Sequence, residues 1–141
     1  MKLPDTNVLL HAVNRDMAQH PRAHAWLGAA FSAAAGVGMG WVALLGFIRL
    51  STRPGILARP LAIEDAMRAV HYWLDHPRTQ ILHPTPRHGL LLGRLLTGAG
   101  TAGNLSTDAH LAALAIEHGA TLGSFDRDFE RFAGLSFELL T

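Results

Sequence analysis

Short apolar runs alternate along this chain with longer stretches of helical periodicity, and that alternation most narrows the folds open to it. Lys2-Leu3 precedes a helical pattern opened by Val8, Leu9, Leu10 and Val13. Gly36 to Met39 precedes a helix over Trp41 to Leu50, which Arg53-Pro54-Gly55 ends, and Thr79 to His83 precedes one over Arg87 to Leu96. Ala120 to Gly123 follows a helix over Thr107 to His118. Helices are also expected over His20 to Ala35, where Ala23, Trp26, Leu27, Ala30 and Phe31 recur at helical spacing, and over Ile63 to His76. A helical turn over Asp128 to Phe132 and a last strand over Leu135 to Leu140 complete the pattern. Strands joined through helices need crossover connections, so the sheet is mostly parallel and covered on both faces. The expected fold is α/β, a three-layer α/β/α sandwich.

Local signals refine this outline. Ser106 is expected to cap the helix that follows it and Gly119 to close that helix, while Thr97 to Gly103 reads as a glycine-rich loop. Pro4 conflicts with a central strand, because proline cannot donate to the ladder. With 141 residues, one domain over 1–141 is expected.

Composition excludes several classes of function. At 49% hydrophobic and 16% charged residues the chain is not a disordered charged tail, and with no cysteine it has no disulfide, thiolate zinc site or cysteine nucleophile. A cytoplasmic location fits that absence. The longest apolar stretch, Ala25 to Leu45, is broken by Gly36, Gly38 and Gly40, so no membrane span is expected. A net charge of +1 gives no global attraction for nucleic acid. Any RNA contact must use local arginines, of which Arg49, Arg53, Arg87 and Arg94 are candidates beside their reading as solvated surface.

Chemistry is carried by aspartates. Open α/β sheets bind ligands at the carboxyl ends of their strands. Asp5 stands there, after the first strand, and Asp126 follows the run Thr121-Leu122-Gly123 with Ser124 and Phe125 between. Each also reads as a helix cap, as does Asp128. Asp108 has Leu111, Ala112 and Ala115 at its i+3, i+4 and i+7 positions, which turns the carboxylate inward. A buried charge needs a cation, a donor cluster or a metal, with the helix dipole as the plainer alternative. Acids converging on one sheet edge would repel without a cation among them. Oxygen-only ligation selects Mg²⁺, or Mn²⁺ as the alternative, and the matching chemistry is hydrolysis of a nucleic-acid backbone.

Three motifs then point to a family. Asp5-Thr6-Asn7 after the first strand, Gly103-Asn104-Leu105 leading to Asp108-Ala109-His110-Leu111-Ala112-Ala113, and Ser124-Phe125-Asp126-Arg127-Asp128-Phe129 closely resemble PIN-domain ribonucleases, more narrowly the VapC toxins of bacterial toxin-antitoxin pairs. That resemblance covers nearly the whole chain. It implies Asp5, Asp108 and Asp126 as catalytic metal ligands, Asp128 as an auxiliary acid, Ser124 and Asn104 shaping the site, and Thr6 and Asn7 orienting Asp5. It further implies Mg²⁺-dependent cleavage of structured RNA such as tRNA or rRNA, a homodimer, and inhibition by a cognate VapB-type antitoxin.

One departure stands out. Most relatives carry a glutamate on the helix after the second strand, whereas Trp41 to Arg49 contains no acid and Leu44 takes that place. Glu64 and Asp65 are candidate replacements, and also natural dipole partners in a helix first turn. A chain one acid short also suits a protein that binds RNA or an antitoxin without cutting.

Other features carry less. His20 and His24 share a helix face, but without HExxH or cysteine the zinc reading is set aside, and His110 is a surface residue or an RNA contact. Asp126-Arg127-Asp128 suggests an aspartyl-phosphate enzyme of the haloacid-dehalogenase type. That family wants its pair after the first strand and a downstream lysine, and the only lysine is Lys2. Trp26, Trp41 and Trp73 lie on apolar helical stripes and read as core or dimer residues.

Overall fold

The computed structural model describes residues 1–141. Strands β1 (Lys2–Pro4), β2 (Val37–Met39), β3 (Thr79–Ile81), β4 (Thr121–Ser124) and β5 (Phe137–Leu139) form one five-stranded sheet in the order β3-β2-β1-β4-β5. Every neighbouring pair is parallel. Helices α1 (Thr6–Val13), α2 (His20–Ser32), α3 (Trp41–Thr52), α4 (Ile63–Asp75), α5 (His88–Ala99) and α6 (Ser106–His118) connect them, with short 3-10 turns at Gly103–Leu105 and Arg127–Arg131.

The chain steps from β1 to β2 to β3 in one direction, then α5 and α6 carry it back across β1 to β4. Right-handed crossovers running in opposite directions fall on opposite faces. In agreement, α1 packs on α2 and α3, α3 packs on α4, and α5 packs on α6. The result is the expected three-layer α/β/α sandwich. Leu3, Val37, Met39 and Leu122 from the strands and Val8, Leu9, Phe47, Leu111 and Leu114 from the helices are buried in one contiguous core. Trp26 and Trp73 are buried, whereas Trp41 is 41% exposed. No helix is long and apolar enough to cross a membrane.

Local chemistry explains where elements depart from the sequence pattern. Pro4 does lie in the central strand. Lys2 donates to Gly36 O in the turn before β2, and Asp5 donates to Gly123 O on β4. Alternate amides face alternate neighbours, so the donor that Pro4 lacks would point toward β2, with which β1 is paired only at Lys2↔Val37. Helix α2 stops at Ser32 because the chain turns into β2 through Gly36, at φ 72°, where a Cβ would lie 2.3 Å from the Arg78 carbonyl oxygen. Helix α5 extends into the expected loop as far as Ala99, where left-handed Gly100 returns its N–H to Leu96 and Thr97. Ser106 is the first residue of α6 rather than its cap, and no side chain caps that end.

Strand order reverses between β1 and β4. In such sheets the crevice at the carboxyl ends opens at that reversal. Asp5 follows β1 directly, and Asp126 stands two residues beyond the end of β4.

Candidate metal-binding active site

Ser124, fully buried at the end of β4, organises the floor of this crevice. Its hydroxyl donates to Asp5 Oδ2 at 2.7 Å and accepts from Asn7 Nδ2 at 3.0 Å and from the Asp126 amide at 3.0 Å. The other Asp5 oxygen accepts the Thr6 amide at 2.7 Å, so Asp5 caps α1 and is held by both its oxygens. Asn7 acts on Asp5 through Ser124, and its Oδ1 also takes the Phe125 amide at 3.3 Å. The Thr6 hydroxyl points elsewhere, donating to Ala43 O of α3 at 3.0 Å. Gly46 gives it room, since a Cβ there would lie 2.5 Å from Thr6 Oγ1.

Asp126 caps the turn over Arg127–Arg131 by accepting the Asp128 amide at 2.8 Å. That turn swings Asp128 back toward Asp126, and α6, which packs against the turn, brings Asp108 to the same point. Carboxylate oxygens of Asp108, Asp126 and Asp128 all lie within 4.8 Å of one another. Asp5 stands beside this trio, close enough for its charge to raise Asp108 and for Asp126 to act on it in turn.

Little in the protein compensates these charges. Arg131 Nε is 3.9 Å from Asp128 Oδ1, with both side chains about half exposed, and no protein donor bonds Asp108. Burial first, then repulsion from Asp5, Asp126 and Asp128, pushes the Asp108 carboxyl up to about 7. Burial also raises Asp5, against the lowering effect of its bonds from Ser124 and Thr6. An all-oxygen donor set with surplus negative charge fits a hard divalent cation such as Mg²⁺ or Mn²⁺. Asp108, Asp126 and Asp128 are placed to hold it, with Asp5 adjoining.

The remaining candidates lie apart. Asn104 is exposed in the Gly103–Leu105 turn and bonds none of the carboxylates. Leu44 is fully buried in α3, and no acid from α4 takes its place: Asp65 pairs with Arg68 at 2.6 Å beside the groove between α1, α2 and α4, and Glu64 is exposed. His20 and His24 stack with ring centroids 5.3 Å apart, with His20 Nδ1 on His11 O. His110 is half-buried against His88. Sequence reasoning also missed Glu117, whose partners His88 and Thr85 stand 29 and 32 positions away.

Comparison with known proteins agrees with this architecture. A family model described as PIN domain matches residues 2–135. The chain is 48% identical over 138 residues to Ribonuclease VapC37 of Mycobacterium tuberculosis, covering 98% of this chain and 96% of that protein. It is 42% identical over 137 residues to Ribonuclease VapC33 of the same organism, covering 97% and 96%. Among solved structures, VapBC2 from Rickettsia felis bound to a DNA fragment from its promoter superposes with a TM-score of 0.73 at 19% identity, covering 99% of this chain and 98% of that one. Mycobacterium tuberculosis VapC20, described as a sarcin-ricin loop cleaving toxin, gives 0.70 at 21% identity and 96% of each chain.

Proposed function

The chain belongs to the PIN-domain family, within its VapC ribonucleases, and from that premise we propose that it is a Mg²⁺-dependent endoribonuclease toxin acting on structured RNA such as tRNA or rRNA. One observation carries this reading. Asp108, Asp126 and Asp128 converge at the strand-order reversal with Asp5 beside them, and burial, with repulsion from the other three, leaves Asp108 at about 7 for want of a positive partner.

In this reading Asp108, Asp126 and Asp128 hold the cation, and Asp128 supplies the acid that α3 lacks at Leu44. Asp5, fixed by Thr6 and Ser124, adds negative charge and completes the binding surface. A divalent cation there supplies charge neutralisation at the phosphodiester and lowers the pKa of water. Without a cation, burial and the charges of Asp5, Asp126 and Asp128 hold the Asp108 carboxyl at about 7, and a bound cation would relieve that repulsion and favour the ionised, ligating form. Arg131, beside Asp128, is the nearest cationic side chain to the cluster and is placed to meet a substrate phosphate.

The same reading includes a homodimer and a VapB-type antitoxin. Exposed Trp41, Leu45 and Leu90 offer apolar surface for a partner subunit. A groove of about 630 Å³ between α1, α2 and α4, lined by Val13, Leu27, Phe31, Tyr72 and Trp73 among others, suits an amphipathic antitoxin segment.

The test is Asp108→Asn. With folding verified by circular dichroism, it should lower Mg²⁺-dependent cleavage of structured RNA by at least about 100-fold and relieve growth arrest on expression. Full activity in that variant would sink the site. A second reading, an RNA- or antitoxin-binding protein that does not cut, is favoured by acid-free α3. Calorimetric titration with Mg²⁺ or Mn²⁺ followed by RNA digestion separates the two, since metal binding with turnover excludes the inert protein.

A further inference from the structure

Away from the carboxylate cluster, Glu117 in the last turn of α6, His110 nearer the start of that helix and His88 at the start of α5 form a different group of ionisable side chains. The Glu117 side chain is 1% exposed. It accepts the Thr85 amide at 2.9 Å, the Thr85 hydroxyl at 2.5 Å and His88 Nδ1 at 2.5 Å. Burial pushes its pKa up, but the bonds from His88 and Thr85 outweigh this and hold it below the usual glutamate range. Glu117 accepts these hydrogens, so His88 Nδ1 carries one and the ring turns its other nitrogen, Nε2, away from the carboxylate. That Nε2 faces His110 Nδ1 at 2.9 Å, with the ring planes at 68°.

We propose that His88 Nε2 and His110 Nδ1 form a site for a borderline transition-metal ion of the Zn²⁺ class, with Glu117 behind His88 as the carboxylate that orients the ring. Two nitrogens bound to one such ion at 2.0–2.1 Å stand about 2.9 to 3.4 Å apart for angles between 90° and tetrahedral. The observed 2.9 Å lies at the near end of that range. Zinc-binding imidazoles characteristically donate their other N–H to a carboxylate, as His88 does, which fixes the tautomer and raises the basicity of the free nitrogen. The His88 side chain is 12% exposed and His110 is half-buried, so water reaches the pair and can fill the remaining positions.

Ligand chemistry separates this site from the acidic one. Imidazole nitrogen favours Zn²⁺ and its neighbours in the first transition row, whereas all-oxygen ligands favour Mg²⁺ and Mn²⁺. Asp108 and His110, two residues apart on a helix, also point to opposite sides of it. An ion between His88 and His110 would tie α5 to α6 and brace the helix that carries Asp108. The same 2.9 Å suits an N–H···N hydrogen bond that needs no ion, and the experiment is built to tell them apart.

Zinc alone is titrated calorimetrically into full-length Asp108→Asn protein, in which the carboxylate cluster is weakened, and into the same variant carrying His110→Ala. The site predicts one zinc ion in the first protein, a Tm raised by several degrees, and binding at least tenfold weaker in the second. Equal zinc affinity in both, or no zinc bound by Asp108→Asn, overturns it. Should the double variant not fold, histidine nitrogen resonances of the unsubstituted protein decide. Zinc must shift His88 Nε2 and His110 Nδ1, and unmoved signals there sink the site. None of these readouts depends on RNA cleavage, so the proposal stands or falls separately from the nuclease reading.

Discussion

Helix α6 carries a carboxylate near each end, and the two are treated in opposite ways. Glu117 in the last turn is sealed from solvent, accepts three hydrogen bonds and is held ionised below its ordinary range. Asp108 in the first turn accepts none, faces other carboxylates and is pushed up to about 7. Helix position accounts for little of this, because the dipole should favour an acid at the N-terminal end and oppose one at the other. Neighbours decide instead. A charge fully answered by fixed donors braces the fold, whereas one left unanswered at a sheet's carboxyl edge is available to an ion or a substrate.

That contrast can be broken by substitution, and the largest effect is expected at the satisfied end. Glu117→Ala leaves His88 and Thr85 without their acceptor and should cost about 3–5 kcal/mol, lowering Tm by about 10–17 °C in thermal unfolding. A loss under about 1 kcal/mol would mean that the network does not brace α5 against α6. Next comes Ser124→Ala, which frees Asp5 Oδ2 and the Asp126 amide. It should cost about 1–3 kcal/mol and weaken Mn²⁺ affinity 10- to 100-fold, roughly, by calorimetry, because the residues that orient a ligand set its affinity.

The unsatisfied end should respond weakly and with opposite sign. Asp108→Asn removes a repelled charge and should stabilise metal-free protein at pH 8 by at most about 1 kcal/mol, given how much solvent screens a half-exposed group. Its pH dependence follows. The folded pKa of about 7 exceeds the ordinary aspartate value of 3.8, so the folded chain binds more protons between them and stability rises as pH falls through that window. Metal-free wild type should therefore melt higher at pH 5 than at pH 8 relative to Asp108→Asn, and equal slopes would remove the proposed strain. Glu117, with its lowered pKa, contributes stability that is kept above the ordinary glutamate range and lost only in stronger acid.

The sheet was readable in the sequence because each strand and helix announces itself through a local period. Gly36 to Met39 and Ala120 to Gly123 lie within a residue of the observed strands, and α6 ends at Gly119 as its chemistry requires. Misplaced boundaries fall where a neighbour intervenes. Gly36 must clear Arg78, and Pro4 stays in a central strand because the side on which it lacks a donor has little partner to lose.

Sequence by itself determined the alternation of elements, hence a parallel sheet between helical layers, and with it the placing of Asp5 and Asp126 at strand ends. Only tertiary structure decided that Asp128 closes with Asp108 and Asp126 while Asp5 is held by Ser124 and Thr6, that no acid from α4 stands in for Leu44, and that His88, His110 and Glu117 meet at all. Periodicity is a property of neighbours along the chain. Which side chains meet depends on strand order and on the face each crossover takes, and no stretch of local sequence encodes either.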